Sequence, residues 1–387
     1  MGVKKILIVE AWMTKLQHLG VNSGLIEVMK TVYPSYKINY FGEKTQNSAL
    51  YRVHEDVVFH NVLLPEYKPY MLPLFDLYTV FYLLSVLFRS KKQDRLFITD
   101  RLVLAHIFYN LVNLVMRRKT FMVLHGQMEY LVNPANVGLS KYYFWFDKIG
   151  FWLGGKHTKY VTLGEPIKQN IVKKGFLKSN QIINIDHPYN YASDAHFQPF
   201  GLPLRIGLIG RATKQKHAEL IFDFGLLLHQ EIKDGKVVVE IVGGVESTIQ
   251  KYVNKYVVFP KKNGFLSDSE YYSKIEQLHY VLCFFDANNY KAIPSGTFFD
   301  AIKFAKPLLM LQRNDFMDYY HHRFPYIAAS FEDCPQMAEY VKKLVGNVTE
   351  FKGAYAEQIS AIANAKEQLS NSSIITSFQN QLDAKWN

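Results

Sequence analysis

Short apolar runs recur along this chain between longer stretches of helical composition, and that alternation narrows the folds open to it more than any other feature. Residues 5–10, 36–41, 57–64, 95–99, 120–125, 160–163 and 182–185 are rich in Ile, Val, Leu, Phe and Tyr, as strands buried on both faces should be. Residues 24–32, 102–117 and 165–174 between them read as helices. A β-α alternation predicts an α/β protein, with a parallel sheet covered by helices. The pattern pauses at His187-Pro-Tyr-Asn-Tyr-Ala-Ser-Asp194 and Gln198-Pro-Phe-Gly-Leu-Pro203, which have linker composition. It restarts with a strand over 204–209, a basic loop and a helix through Glu231, then further strands at 236–242, 256–259, 280–285, 307–311 and 326–329. A length of 387 residues accommodates two such domains. The expected division is a first domain over 1–190, a linker over 191–203, a second domain over 204–370 and a closing helix over 371–387 that returns to the first domain.

Charge separates the two halves. Residues 1–200 hold 24 Lys+Arg and 14 Asp+Glu, a surplus of 10, whereas residues 201–387 hold 21 and 20. A one-sided positive excess points to an anionic partner, either nucleic acid, an acidic membrane leaflet or a phosphorylated substrate. No helix-turn-helix, RNP or zinc-finger pattern accompanies it, so a nucleic-acid partner is not expected.

The two cysteines, Cys283 and Cys334, are too few for a disulfide framework or a Cys-rich zinc site. The N-terminal apolar run stops at Glu10, too soon for a signal peptide, which leads to the expectation of a cytoplasmic chain. Tyr70 to Phe88 has the length and the basic flank of a membrane span. Asp76 and Pro73 interrupt it, and an aspartate in hydrocarbon costs about 2.5–3.5 kcal/mol on the lenient insertion scale. A buried or interface-lying helix is the expected outcome.

There is no GxxxxGK[ST] loop, no HExxH, no CxxC, no GxGxxG after a strand and no Asp-x-Asp pair. Neither a metal nor a nicotinamide cofactor is therefore expected. Open α/β sheets bind ligands beyond the carboxyl ends of their strands. In the second half the strand over 204–209 runs into Gly210 and Arg211, with Lys214 and Lys216 at the expected start of a helix. Cations beside free helix N–H groups suit a diphosphate; a solvated basic loop is the alternative. Further on, Ser295 is placed as an N-cap, Gly296 leaves room for close approach and Thr297 adds a hydroxyl. Asp300 offers a carboxylate to ribose hydroxyls. Simple helix capping accounts for Ser295 and Asp300 almost as well.

The segment Tyr290-Lys-Ala-Ile-Pro-Ser-Gly-Thr-Phe-Phe-Asp-Ala-Ile-Lys-Phe-Ala-Lys-Pro-Leu-Leu309, with Ile206-Gly-Leu-Ile-Gly-Arg-Ala-Thr-Lys-Gln-Lys216 before it, resembles the C-terminal half of GT-B glycosyltransferases. The nearest likeness is to the family 4-like bacterial enzymes of surface-polysaccharide assembly. The resemblance implies a GT-B fold, with two Rossmann-like parallel-sheet domains facing a central cleft and a C-terminal helix packing back on the first. It places Arg211 and Lys216 on the donor diphosphate and Asp300 at the second of two family glutamates, whose first position is held here by Ala292; Ala305 stands in place of a family glycine. It also implies that Gly20, Asn22 and Ser23, in the loop after the first strand, touch the donor phosphates.

His18, in the same loop, is a candidate general base, because an imidazole near neutral pKa suits deprotonation of a sugar hydroxyl. His125, at the end of the strand over 120–124, resembles the histidine that contacts the transferred sugar. Glu129 follows it as a base or an orienting group for the acceptor. Asp100 and Arg101 also end a strand and read as structural. The expected activity is metal-independent transfer of a sugar from a nucleotide-sugar donor to a lipid-linked or polysaccharide acceptor in capsule or lipopolysaccharide biosynthesis, with retention or inversion left open. The expected place is the inner face of the cell membrane, in peripheral contact with anionic lipid. An epimerase or hydrolase on the same scaffold, or a non-catalytic basic binding protein, is the alternative.

Overall fold

The structure, a computed structural model, describes residues 3–15, 18–65, 71–133, 140–191, 198–260, 266–288, 290–311 and 314–386. Tyr70 and linker residues 192–197 lie outside that set. The chain divides into two compact units: unit 1 comprises Met1–Asn190, Ala292–Pro294 and Leu369–Asn387, and unit 2 comprises Tyr191–Lys291 and Ser295–Gln368.

Unit 1 alternates as the apolar runs require. Its elements are β1 (Lys5–Glu10), α1 (Leu19–Val32), β2 (Lys37–Glu43), α2 (Lys44–Tyr51), β3 (Val58–Val62), α3 (Leu72–Arg89), β4 (Arg95–Asp100) and α4 (Val103–Met116). They continue with β5 (Thr120–Leu124), α5 (Met128–Val132), α6 (Ser140–Trp145), α7 (Asp147–Gly154), β6 (Thr158–Leu163), α8 (Glu165–Lys173) and β7 (Ile182–Ile185). The seven strands form one sheet in the order β3-β2-β1-β4-β5-β6-β7, all parallel. The order reverses between β1 and β4, the switch point at which such sheets bind ligands.

Period-two alternation sends Leu7 and Val9 to a core with α3, α4, α7 and α8, and Ile6 and Ile8 to a core with α1. α3, the candidate span, packs Phe75, Val80, Leu83, Val86 and Leu87 inward. Pro73 sits in its first turn, where a missing N–H costs nothing. Asp76 does not face lipid: its carboxylate accepts the Leu104 and Ala105 amides at the start of α4, at 2.6 and 3.0 Å, and the Tyr143 hydroxyl. Because each helix runs back against the strands, α3, α4, α7 and α8 all end at the strand-amino edge. There the chain carries Arg89, Lys91 and Lys92, then Arg117, Arg118 and Lys119, then Lys156, Lys174 and Lys178. The surplus of the first half is thus concentrated on one edge of one sheet.

Unit 2 contains β8 (Leu204–Ile209), α9 (Leu220–Leu227), α10 (His229–Lys233), β9 (Val237–Val242), β10 (Val257–Val258), α11 (Asp268–Glu276), β11 (Tyr280–Cys283) and α12 (Gly296–Lys303). β12 (Leu308–Leu311), α13 (Asp315–Arg323), β13 (Ala328–Phe331), α14 (Cys334–Gly346) and α15 (Val348–Gln368) follow. The six parallel strands run in the order β10-β9-β8-β11-β12-β13. Two local expectations fail. The helix expected from about Lys214 instead begins at Leu220 and breaks at Leu228, because Lys214–Lys216 forms a single 3-10 turn that His217 ends in left-handed backbone (φ 50°). The last strand begins at Ala328 rather than Tyr326, since Tyr326 itself turns the chain with φ 73°.

α16 (Asn371–Trp386) belongs to unit 1. It packs on α1 and β7, burying Ile374 and Phe378 against Phe121 and its neighbours. Gln381 fixes its register by accepting the Asn184 amide at 2.8 Å and donating to the Asn184 carbonyl at 2.6 Å. The closing helix expected from the sequence is therefore present and lies on the first sheet.

Candidate active site

At the unit 1 switch point, Glu10 ends β1 and Asp100 ends β4, and the strand register pairs them directly. Both are buried. Glu10 is held from all sides: Trp12 and Met13 amides donate to Oε1 at 3.2 and 3.1 Å, and Asn22 Nδ2 and Thr99 Oγ1 donate to Oε2 at 3.1 and 2.9 Å. His18, left-handed at the N-cap of α1, brings Nδ1 to 3.7 Å from Glu10 Oε2 and stacks its ring on His125 at 4.1 Å. Arg101 N and Gln127 Nε2 each donate to Asp100 Oδ1 at 2.8 Å, while Oδ2 has no hydrogen-bond partner among the described residues.

The electrostatics follow from this crowding. Burial pulls the Glu10 carboxyl up, but hydrogen bonds from His18, Met13 and Asn22 and the His18 charge outweigh it and hold it below the ordinary value. Burial pulls His18 down, and Glu10 with Asp100 lifts it above the usual imidazole range. Asp100, buried foremost and next to the Glu10 charge, is pushed up to about 7. His125 is driven well below the imidazole range by burial, then by His18 and His187, and so stays neutral. Asp100 and His18 therefore titrate as a coupled pair beside a Glu10 carboxylate that stays ionised.

One ligand atom from each of Glu10, His18 and Asp100 lies within 4.8 Å of the others, which is metal-ligand spacing. Glu10's two oxygens already accept four hydrogen bonds, and the pairing favours a protonated His18. The arrangement suits a proton better than a cation.

In unit 2, β8 runs into Gly210, whose φ of 77° a side chain would strain. A Cβ there would come within 3.3 Å of Lys216 Nζ. Lys216 donates to Thr297 Oγ1 at 3.1 Å, and Thr297 donates to the Ile209 carbonyl at 3.3 Å. Burial depresses the Lys216 ammonium, with Cys283 and Asp300 pulling the other way. Tyr271 donates to Asp300 Oδ2 at 2.9 Å. The first-turn amides of α12 at Gly296 and Thr297 have no partner within the helix, and the space over Gly296 is open. Bare backbone turn, ammonium and helix N-terminus meet at one strand end, an arrangement that receives a phosphate.

The structure gives most of the sequence-predicted residues partners within the protein. Ser295 is fully buried and accepts the Phe298 amide on its hydroxyl at 3.3 Å, so it caps α12 as its place in the sequence suggests. Asn22 is turned inward to Glu10 and to the Tyr40 hydroxyl, and Ser23 bonds His54 Nε2 at 2.8 Å; neither presents a side chain to a phosphate. Gly20 is exposed with open space around it. Glu129 is buried and accepts the Ala292 amide on Oε2 at 2.8 Å. Lys214 pairs with Glu219 at 3.1 Å and Tyr252 at 2.8 Å on the surface. Arg211 is exposed and makes no hydrogen bond or ion pair among the described residues. The structure brings His18 to His125 and Lys216 to Thr297. It adds Glu10, Asp100 and Tyr271; the available signal for the first two was that adjacent strands both end in an acid.

No family model and no curated protein matches this sequence. Solved structures match it along nearly its whole length. HepE of Anabaena, solved in complex with UDP, is 14% identical over 98% of this chain and 100% of that one, with a TM-score of 0.65. The lipopolysaccharide outer core galactosyltransferase WaaB, in its apo form, is 14% identical over 98% and 99%, with a TM-score of 0.62. TarM is 13% identical over 98% and 99%, with a TM-score of 0.64. With its two parallel sheets of seven and six strands, the chain has the GT-B glycosyltransferase fold.

Proposed function

We propose that this chain is a glycosyltransferase that moves a sugar from a nucleotide-sugar donor to a lipid-linked or polysaccharide acceptor of a bacterial surface glycan. The observation that carries the reading is the unit 2 cradle of Gly210, Lys216, Thr297 and the first turn of α12. HepE was solved with UDP and with UDP-glucose, which makes uridine diphosphate sugars the first donors to test. The donor's diphosphate sits against Lys216 and the Gly296 and Thr297 amides, with Arg211 reaching it from the surface. As the bond from the anomeric carbon to the phosphate oxygen breaks, its electron pair leaves on the diphosphate. Lys216 and the amides stabilise that charge without requiring a metal. The acceptor oxygen bonds the anomeric carbon and gives up its proton to a base. Within unit 1 the Glu10, His18 and Asp100 cluster is the group able to take a proton, and His125, neutral, is able to hydrogen-bond a sugar hydroxyl. Peripheral contact with anionic lipid on the inner face of the cell membrane brings a lipid-borne acceptor to the enzyme.

The test is release of UDP from a panel of UDP-sugars in the presence of isolated lipid-linked acceptors, followed from pH 5.5 to 9. Because the raised Asp100 carboxyl loses its proton at about 7, the cluster accepts a proton only above that range. The rate is expected to rise with pH through a limb near 7 and to be unchanged by EDTA. Asp100→Asn is expected to abolish the limb while leaving UDP binding intact. A flat profile in both proteins, or transfer that needs added metal, would remove the cluster from the reaction.

A further inference from the structure

Within unit 1 the outer faces of α3, α4 and α7 form one surface, since α3 packs beside α4 and α4 beside α7. Large apolar side chains point away from the core along it: Leu74 and Phe81 on α3, Leu111 and Val115 on α4, and Trp152 on α7, with Val115 82% and Trp152 81% exposed. The three helices and α6 carry two carboxylates in all, Asp76 and Asp147, and both are buried. A water-facing helix layer alternates charges; this one offers water none of the negative kind. Contiguous apolar surface of this sort marks a contact with another phase or chain.

At the end of this face nearest the strand-amino edge lies a groove of about 800 Å³ between α7 and the turn after α8. Lys148, Lys174 and Lys178 line it, beside Trp152 and Phe176, and no acidic residue does. Lys148 Nζ stands 5.3 Å from the Phe176 ring centre and 5.4 Å from that of Trp145. The groove opens beside the starts of β6 and β7, whereas the Glu10, His18 and Asp100 cluster lies at the other end of the sheet. Strands of this length separate the two by on the order of 20 Å, so the groove is a different site.

We propose that this face docks on an anionic phospholipid bilayer, with Trp152 in the headgroup layer and a lipid phosphate held in the groove by Lys148, Lys174 and Lys178. The charge complementarity decides for lipid over a second copy of the chain, because three lysines with no facing carboxylate repel their own duplicate. Indole rings favour the bilayer interface, where one end stays wet and the other dry. The basic edge adjoining the groove adds a longer-range attraction to the same leaflet. The inference deepens the membrane part of the proposed function and fails separately from it, since vesicle binding and UDP binding are read by different measurements.

The experiment is co-sedimentation of the full chain with vesicles of phosphatidylcholine and phosphatidylglycerol at 3:1, against phosphatidylcholine alone, with calorimetric UDP titration in parallel. Binding to the mixed vesicles is expected at least tenfold above the neutral ones, with a blue shift of tryptophan emission that Trp152→Phe removes. The combined Lys148→Glu, Lys174→Glu and Lys178→Glu variant is expected to lose at least tenfold in vesicle affinity with UDP affinity unchanged. Since all three side chains are exposed, the variant retains the fold, checked by circular dichroism. Vesicle binding equal in the triple variant would overturn the inference, as would a concentration-dependent dimer abolished by Trp152→Ala. Full competition by inorganic phosphate would also overturn it, by making the groove a small-anion site.

Discussion

Lys216→Met is expected to weaken UDP binding roughly tenfold to a hundredfold in a calorimetric titration, the loss that follows from removing one charge-assisted hydrogen bond of about 1.5–3 kcal/mol. The size rests on position. The ammonium is held between Thr297 Oγ1 and the Gly210 turn, with its charge disfavoured by burial. An incoming diphosphate adds to the Asp300 charge a counter-charge in direct contact with the ammonium. Methionine keeps the length and packing of the side chain, so the fold is retained and the effect reads on binding. Arg211→Ala, at an exposed position, is expected to cost less. Equal affinity in Lys216→Met and the wild-type chain would place the phosphates elsewhere.

The second large effect is on stability. Asp147 opens α7 and is buried between two partners: Arg101 Nη2 at 2.9 Å from Oδ2 and His106 Nδ1 at 2.6 Å from Oδ1. Burial would raise its carboxyl, but Arg101 and then His106 hold it below the ordinary range. Arg101 is itself fully buried. Asp147→Ala leaves that guanidinium without its counter-ion inside unit 1, which costs about 3–5 kcal/mol. In urea denaturation followed by near-ultraviolet circular dichroism, the variant is expected to unfold at markedly lower denaturant. Asp147→Asn, which keeps a hydrogen-bond acceptor, should fall between. A change under about 1 kcal/mol for the alanine variant would mean that Arg101 reaches water or another anion.

Strand positions were legible because parallel strands buried on both faces print as unbroken apolar runs, and β1, β4 and β7 fall where those runs lie. The basic loop was less legible. Lys214 and Lys216 share a sequence context, yet the 3-10 turn that His217 ends sends the first to the surface and the second under Thr297. Ser295 and Asn22 show the limit of reading side chains by type. A hydroxyl or amide suited to a ligand is equally suited to a helix cap or a buried carboxylate, and burial decides in favour of the latter here. Asp100 read as structural because its meaning comes from the strand beside it: only the β1–β4 pairing puts Glu10 next to it. The positive surplus was visible as a sum, but its concentration on one sheet edge follows from helix direction, which composition does not carry.

The account stands most directly on where a nucleotide binds. A crystal structure of the chain soaked with UDP should show the diphosphate within hydrogen-bond distance of Lys216 Nζ and of the Gly296 and Thr297 amides. A diphosphate bound at any other strand end, or no binding at saturating UDP, would contradict it.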